Sequence, residues 1–300
     1  MDADVVLDRR LDKQTLAPLL QKSNARGLVH FGLHLGLFAA SGTAVWFARP
    51  TWWLLLPAML LHGLLLVAFF APAHETIHRT AFRARWLNTL VGWWCGLLLL
   101  LPPDYFRAFH FAHHAGTQDP ARDPELAWPK PASWRQYLWH VSGLPYWIYQ
   151  ARIAVTHALG RVPEPFANDR MKRKIVVEAR ILLALVALLV GGSLALQSWA
   201  LLWLWVLPGL LGQPFLRLYL LAEHWGCPQV PDMLANTRTT LTNGVVRFLA
   251  WNMPFHVEHH AYPAVPFHAL PRLHGRIGDQ AQVVAPGYGA FTRQVWRALR

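Results

Sequence analysis

Long stretches without a single charged residue limit what this chain can fold into more than any other feature. No Asp, Glu, Lys or Arg occurs in residues 27–48, and residues 50–74 are equally bare. A helix rising about 1.5 Å per residue needs roughly 20 residues to cross a hydrocarbon core of about 30 Å, so both runs suffice. A third run, 181–216, has 36 residues, too many for one crossing and suited to a hairpin that turns at Gln197-Ser198. Spans are expected near 28–48, 51–72, 180–196 and 199–222, after a short N-terminal segment of residues 1–27. Residues 28–300 then form one all-α integral membrane domain with a histidine-rich cytosolic cap. Pro208 and Pro214 should bend the last span, which membrane bundles tolerate, and Arg217 near its end should snorkel to the headgroups.

Composition agrees. Charged residues make up 15% and apolar types 54%, which excludes disorder and suits a bilayer better than water. Two cysteines exclude a disulfide framework and any zinc module built on four thiolates. With four spans, the termini and residues 73–180 share one face, which carries all but Arg49 of the 28 Lys and Arg. The positive-inside bias therefore places both termini in the cytoplasm. The net charge of +12 follows from that bias and gives no support to nucleic-acid binding. The start, MDADVVLDRRLDKQ, is acidic and polar and does not read as a cleavable signal peptide.

The chemistry lies in the histidines. His74 and His78 stand in HETIH, His110, His113 and His114 in HFAHH, and His256, His259 and His260 in HVEHH. Spacings of three and four bring such side chains onto one face of a helix. Three converging faces would present eight imidazoles, too many for one four- to six-coordinate ion, so the count implies two metal ions. HETIH and HFAHH must then share a side of the membrane. The short apolar run near 86–101 between them cannot cross once, and is expected to be re-entrant or interfacial.

The pattern H-x3-H, H-x2-HH, H-x2-HH resembles the membrane-bound fatty acid desaturase and hydroxylase superfamily, which includes alkane hydroxylases and carotenoid ketolases. The flanking segments HETIHRTAF, FRAFHFAHHAGTQDP and WNMPFHVEHHAYPAVPFHALP strengthen it, and the likeness runs from His74 to His274. It implies boxes on the cytosolic face around two irons, where dioxygen is reduced and hydrogen leaves an unactivated C–H bond. It implies a lipid or acyl substrate, and electrons from a separate protein such as a ferredoxin, rubredoxin or cytochrome b5. His224, in AEHWG, resembles the extra histidine of the alkane hydroxylase branch and is expected as a ninth ligand. Asn252 could instead hold a metal-bound water, as an Asn does in the acyl-CoA desaturase branch.

Ligand imidazoles usually donate their second N–H to a carboxylate or carbonyl, which makes Glu75, Asp119, Glu223 and Glu258 candidates to orient them, with Asp123 and Glu125 nearby. His30, His34 and His62 read as neutral packed histidines rather than haem ligands, and His140, His157, His268 and His274 as structural. The aromatic stretch 128–149 suits the headgroup level. The basic run 170–174 reads as charge preceding a span, with docking of an acidic electron donor as the alternative. The leading expectation is an acyl desaturase; a lipid, alkane or carotenoid hydroxylase or ketolase is the near alternative. HETIH also matches the H-E-x-x-H zinc protease motif, but that reading leaves six box histidines without work, and a histidine-lined metal transporter is opposed by ligands at the cytoplasmic face with none across the mid-bilayer.

Overall fold

The computed structural model describes residues 11–300; the first ten, most of the polar start, lie outside the described residues. Among the described residues the fold is all-α apart from one parallel pairing of two-residue strands, Thr239–Thr240 with Val284–Ala285. Four helices among the described residues are long and apolar enough to cross a membrane: Asn24–Ala48, Trp52–His78, Asp169–Ala195 and Leu202–His224. Their mean hydropathies over the best windows are 1.4, 2.3, 2.3 and 1.3. Each expected span thus coincides with one of these helices, overrunning it by at most three residues. The second runs on to His78 and carries the first box, and the third begins at Asp169, so the basic run 170–174 occupies its first turns.

Local chemistry fixes the ends. Ser23 caps the first long helix by accepting from the Arg26 N–H, and Asn168 caps the third by accepting from the Met171 N–H. The first box ends at Arg79 in the left-handed region (φ 59°), where the N–H groups of Arg79 and Thr80 return to the carbonyls of Thr76 and Glu75. Leu202–Val206 is a π-helical turn, with the Leu207 N–H reaching the Leu202 carbonyl just before Pro208. The second and fourth long helices touch backbone to backbone. A Cβ on Gly63 would stand 2.3 Å from the Pro208 carbonyl oxygen, and one on Gly212 would stand 2.2 Å from that of Gly63. Small residues at such crossings are how helices approach closely in lipid, where no hydrophobic force drives them together.

Leu188, Leu194, Leu196 and Trp199 stand about three-quarters exposed, a surface for lipid to cover. The intramembrane histidines knit the bundle. His34 Nε2 bonds the Leu65 carbonyl, while His62 joins Ser41 and the Leu204 carbonyl.

Helix Arg85–Leu99 is followed by Pro103–Gly116 at an angle of 92°, so the two do not continue as one straight span. Leu100 is left-handed (φ 52°), the Leu101 N–H returns to the Gly96 carbonyl, and Pro102-Pro103 starts the next helix. Only a glycine fits at 96, since a Cβ there would lie 2.7 Å from the Leu101 carbonyl. The N-terminal segment packs on the same core: Leu19 is buried, and the Leu11 N–H bonds the Tyr262 hydroxyl.

Candidate metal centre

The three boxes and the end of the fourth long helix meet at one buried site. His74 and His78 lie at the end of the second long helix, and His110, His113 and His114 on Pro103–Gly116. His224 ends Leu202–His224, and His256, His259 and His260 lie on the short helix His256–Ala261. One group, His74, His78, His110, His114 and His259, places its ligand atoms within 4.8 Å of one another, and His113, His224 and His260 form a second group within the same limit. His256 joins the second, its Nε2 lying 3.2 Å from that of His224.

The donor atoms fit cations. In the second group each Nδ1–H is already committed. His113 donates to Asp123 at 2.9 Å, His224 to the Asn236 carbonyl at 3.3 Å, and His260 to the Thr117 hydroxyl at 3.3 Å. Thr117 can only accept there, because its own proton goes to the His113 carbonyl. A neutral imidazole has one N–H and one lone pair, so the Nε2 atoms of all three present lone pairs. With both rings neutral, those of His113 and His224 face each other at 3.2 Å, an arrangement that repels unless a cation lies among them. Burial notwithstanding, Glu125 and Asp123 raise the pKa of His113, so a proton there is one such cation.

In the first group the Nε2 atoms of His74, His110, His114 and His259 form a row with contacts of 2.8, 2.9 and 3.1 Å. A ring nitrogen carries one proton or one lone pair, and those of His110 and His114 each make two contacts, so no choice of tautomers gives every contact its own hydrogen bond. His78 Nε2 is buried with no partner. Burial first, and then the neighbouring imidazoles, push the pKa of His256, His259 and His260 well below the usual range, leaving them in the neutral form that binds metals.

The acids sort differently from the sequence expectation. Glu223 lies 3.5 Å from His256 Nδ1, so it faces the third box rather than its neighbour His224. Asp123, not Asp119, meets a box imidazole; Asp119 accepts from the Ala121 N–H in its own turn. Burial raises the Asp123 pKa, but hydrogen bonds from His113 and the N–H groups of Gln118 and Glu125 outweigh it and hold the carboxyl below its usual range. Glu258 turns away from the boxes to bond His274 Nδ1 at 2.5 Å and the Thr239 hydroxyl at 2.6 Å. Glu75 accepts from the Phe267 N–H and joins neither group, so HETIH does not present a general base beside its histidines. Asn252 sits in a left-handed turn (φ 58°) and donates to the Phe267 carbonyl.

Sequence reasoning passed over Gln118, Asn236 and Thr117. Gln118 donates to the His224 carbonyl at 2.7 Å, and Asn236 donates to those of Thr117 and Val230. Buried amides and hydroxyls carry no signal in one sequence until their partners are known.

A cavity of about 220 Å³ opens beside the histidines. His74, His110, His113 and His256 line it together with Phe70, Phe106, Phe109 and Leu101. Tyr146, Tyr149 and Trp128 from the aromatic stretch line it too, so that stretch does more than anchor. Arg217 also lines it, 4.6 Å over the Tyr146 ring, rather than snorkelling outward.

With this geometry in view, the family profile described as fatty acid desaturase matches residues 50–292. The chain belongs to the fatty acid desaturase family. It is therefore an integral-membrane oxidoreductase acting on C–H bonds. It is 26% identical to a Picosynechococcus sp. sn-1 oleoyl-lipid 12-desaturase, over 81% of this chain and 74% of that one. It is 25% identical to a Bradyrhizobium elkanii dihydrorhizobitoxine desaturase, over 96% and 86%. It is 22% identical to a Synechocystis sn-1 acyl-lipid omega-3 desaturase (ferredoxin), over 94% and 82%.

Proposed function

We propose that this desaturase-family chain introduces a double bond into an acyl substrate at a di-iron centre held by nine histidines. The observation that carries the reading is the division of converging ring nitrogens into five and four beside one cavity. His74, His78, His110, His114 and His259 would hold one iron, and His113, His224, His256 and His260 the other. Bound there, the metal pair supplies the reduction of dioxygen and the oxidising power needed to remove hydrogen from adjacent carbons.

The chain supplies placement. Phe70, Phe106, Phe109 and Leu101 line the cavity with apolar surface that holds a carbon chain against the centre and keeps bulk water out. Asp123, Asn236 and Thr117 hold three rings in the ligating tautomer. Electrons come from a separate redox protein of the ferredoxin, rubredoxin or cytochrome b5 class; the Synechocystis relative's name carries a ferredoxin. Residues 28–300 act as one membrane domain, with the boxes and both termini in the cytoplasm.

Lipid and fatty acid analysis of a heterologous host expressing the chain, beside His110→Ala, tests this. New double bonds that vanish in His110→Ala are expected. New hydroxyls or ketones in place of double bonds would sink the desaturase assignment in favour of a hydroxylase or ketolase.

A further inference from the structure

We infer that the substrate is a compact free carboxylic acid and that Arg217 takes its carboxylate. The inference rests on the reading of the histidines as the reacting centre. Arg217 lines the same cavity as His74, His110, His113 and His256. Among the described residues no carboxylate forms an ion pair with it, and its Nε is buried without a hydrogen-bond partner. Of the two acids on the cavity wall, Glu125 lies 3.7 Å from Lys130 and Glu223 lies 3.5 Å from His256; both act on Arg217 through space, from beyond ion-pair distance. Gln150 lines the cavity as well, with its Oε1 buried and unpartnered.

A guanidinium withdrawn from water without a directly paired anion is costly, and ionisable groups on membrane-spanning helices mark substrate paths. The planar fork of arginine matches a carboxylate in two parallel hydrogen bonds. A chain esterified to glycerol presents no such group.

Spacing sets the size. Arg217 and His224 are seven residues apart on one helix, two turns along the same face and about 10 Å along the axis. A carboxylate held at Arg217 leaves only a short run of carbons between it and the histidines. The cavity's 220 Å³ also falls below the roughly 300–1,000 Å³ of pockets that take drug-sized ligands. An oxyanion could equally come from a phosphate headgroup. Glu125 and Glu223 on the cavity wall argue against a phosphate monoester, which carries about −1.5 to −2 charge at neutral pH against one for a carboxylate.

Binding tests the inference without turnover. Octanoate, methyl octanoate and octyl phosphate are titrated into the iron-loaded full chain in one detergent, beside Arg217→Gln and Arg217→Lys, with iron content measured for each. The wild type is expected to bind octanoate at least tenfold more tightly than the ester or the phosphate. Arg217→Gln should fall to the ester's level with its iron retained, and Arg217→Lys should keep part of the preference. Equal binding of acid and ester by the wild type, or an Arg217→Gln protein that still prefers the acid, overturns the proposal; so does tighter binding of octyl phosphate. If Arg217→Gln does not fold, the wild-type preference and Arg217→Lys decide. Iron content of His110→Ala judges the metal centre separately, so failure of one reading is distinguishable from failure of the other.

Discussion

His113 donates its Nδ1–H to Asp123 at 2.9 Å, and the opposite nitrogen of the same ring faces His224 Nε2 at 3.2 Å. Both residues are buried. The carboxylate therefore sets which nitrogen of His113 carries the lone pair. Its removal frees the ring to flip or to change tautomer. Loss of such an orienting partner typically weakens metal binding about 10–100-fold. Asp123→Ala should lower iron content under limiting iron while helicity by circular dichroism stays unchanged. Unchanged iron affinity would show that Asp123 serves only its turn.

His224 is the proposed ligand outside the three boxes. His224→Ala should lower iron towards one per chain and abolish product formation. His157 lies outside both ligand groups, with its Nε2 bonded to Glu164 at 2.9 Å, so His157→Ala should keep its iron even where it loosens the fold. Metal analysis of both purified variants beside product yield decides. Full iron in His224→Ala would leave a structural role.

The spans were legible because charge-free length is nearly sufficient evidence for a membrane helix, and the boxes because spacings of three and four place imidazoles on one helical face. The acids were not. Glu258 follows His256 by two residues, about 200° around a helix, which turns it away from the ligands toward His274. Asn252 stands four residues before His256, but the helix begins only at His256 and a left-handed turn precedes it, so helical spacing does not apply. Choosing Asp123 over Asp119 required the turn geometry that folds 117–123 back onto the second box. Arg217 was placed correctly along its helix, yet the helix's rotation, which only packing sets, aims the side chain inward.

Glu258 is wholly buried, and its two oxygens bond His274 and Thr239, tying the third box to the helix that follows it and to the short strand. Glu258→Ala leaves the Thr239 hydroxyl without its buried acceptor. One unsatisfied buried group costs about 1–3 kcal/mol. The variant should unfold at lower temperature in detergent, as a thermal melt would report. A melt equal to wild type would mean that the link is dispensable.

At the crossing of the second and fourth long helices, a methyl on Gly212 would overlap the Gly63 carbonyl, and backbone cannot yield as a side chain can. Overpacking of a tight interface costs about 1–3 kcal/mol or more. Gly212→Val should reduce the yield of folded, iron-containing protein, whereas Gly191→Val, whose added Cβ meets nothing, should not. Equal yields would show that the crossing can open without loss.

Membrane topology provides the last test. The 92° turn between Arg85–Leu99 and Pro103–Gly116 lets HETIH and HFAHH sit on one side, as their shared ligand group requires. Arg49 and Gln197 lie in the turns between consecutive spans and belong on the other. Of the 28 Lys and Arg, only Arg49 falls on that second side, so the box side should be cytoplasmic. Both native cysteines are buried, so single introduced cysteines can be read against a low background. Cysteines at the exposed positions Arg83, Arg122 and Gly226 should react only after the membrane is opened, and one at the exposed Leu196 should react in intact cells. Labelling of Arg83→Cys and Arg122→Cys from opposite sides would separate the first two boxes and end the shared centre on which the function rests.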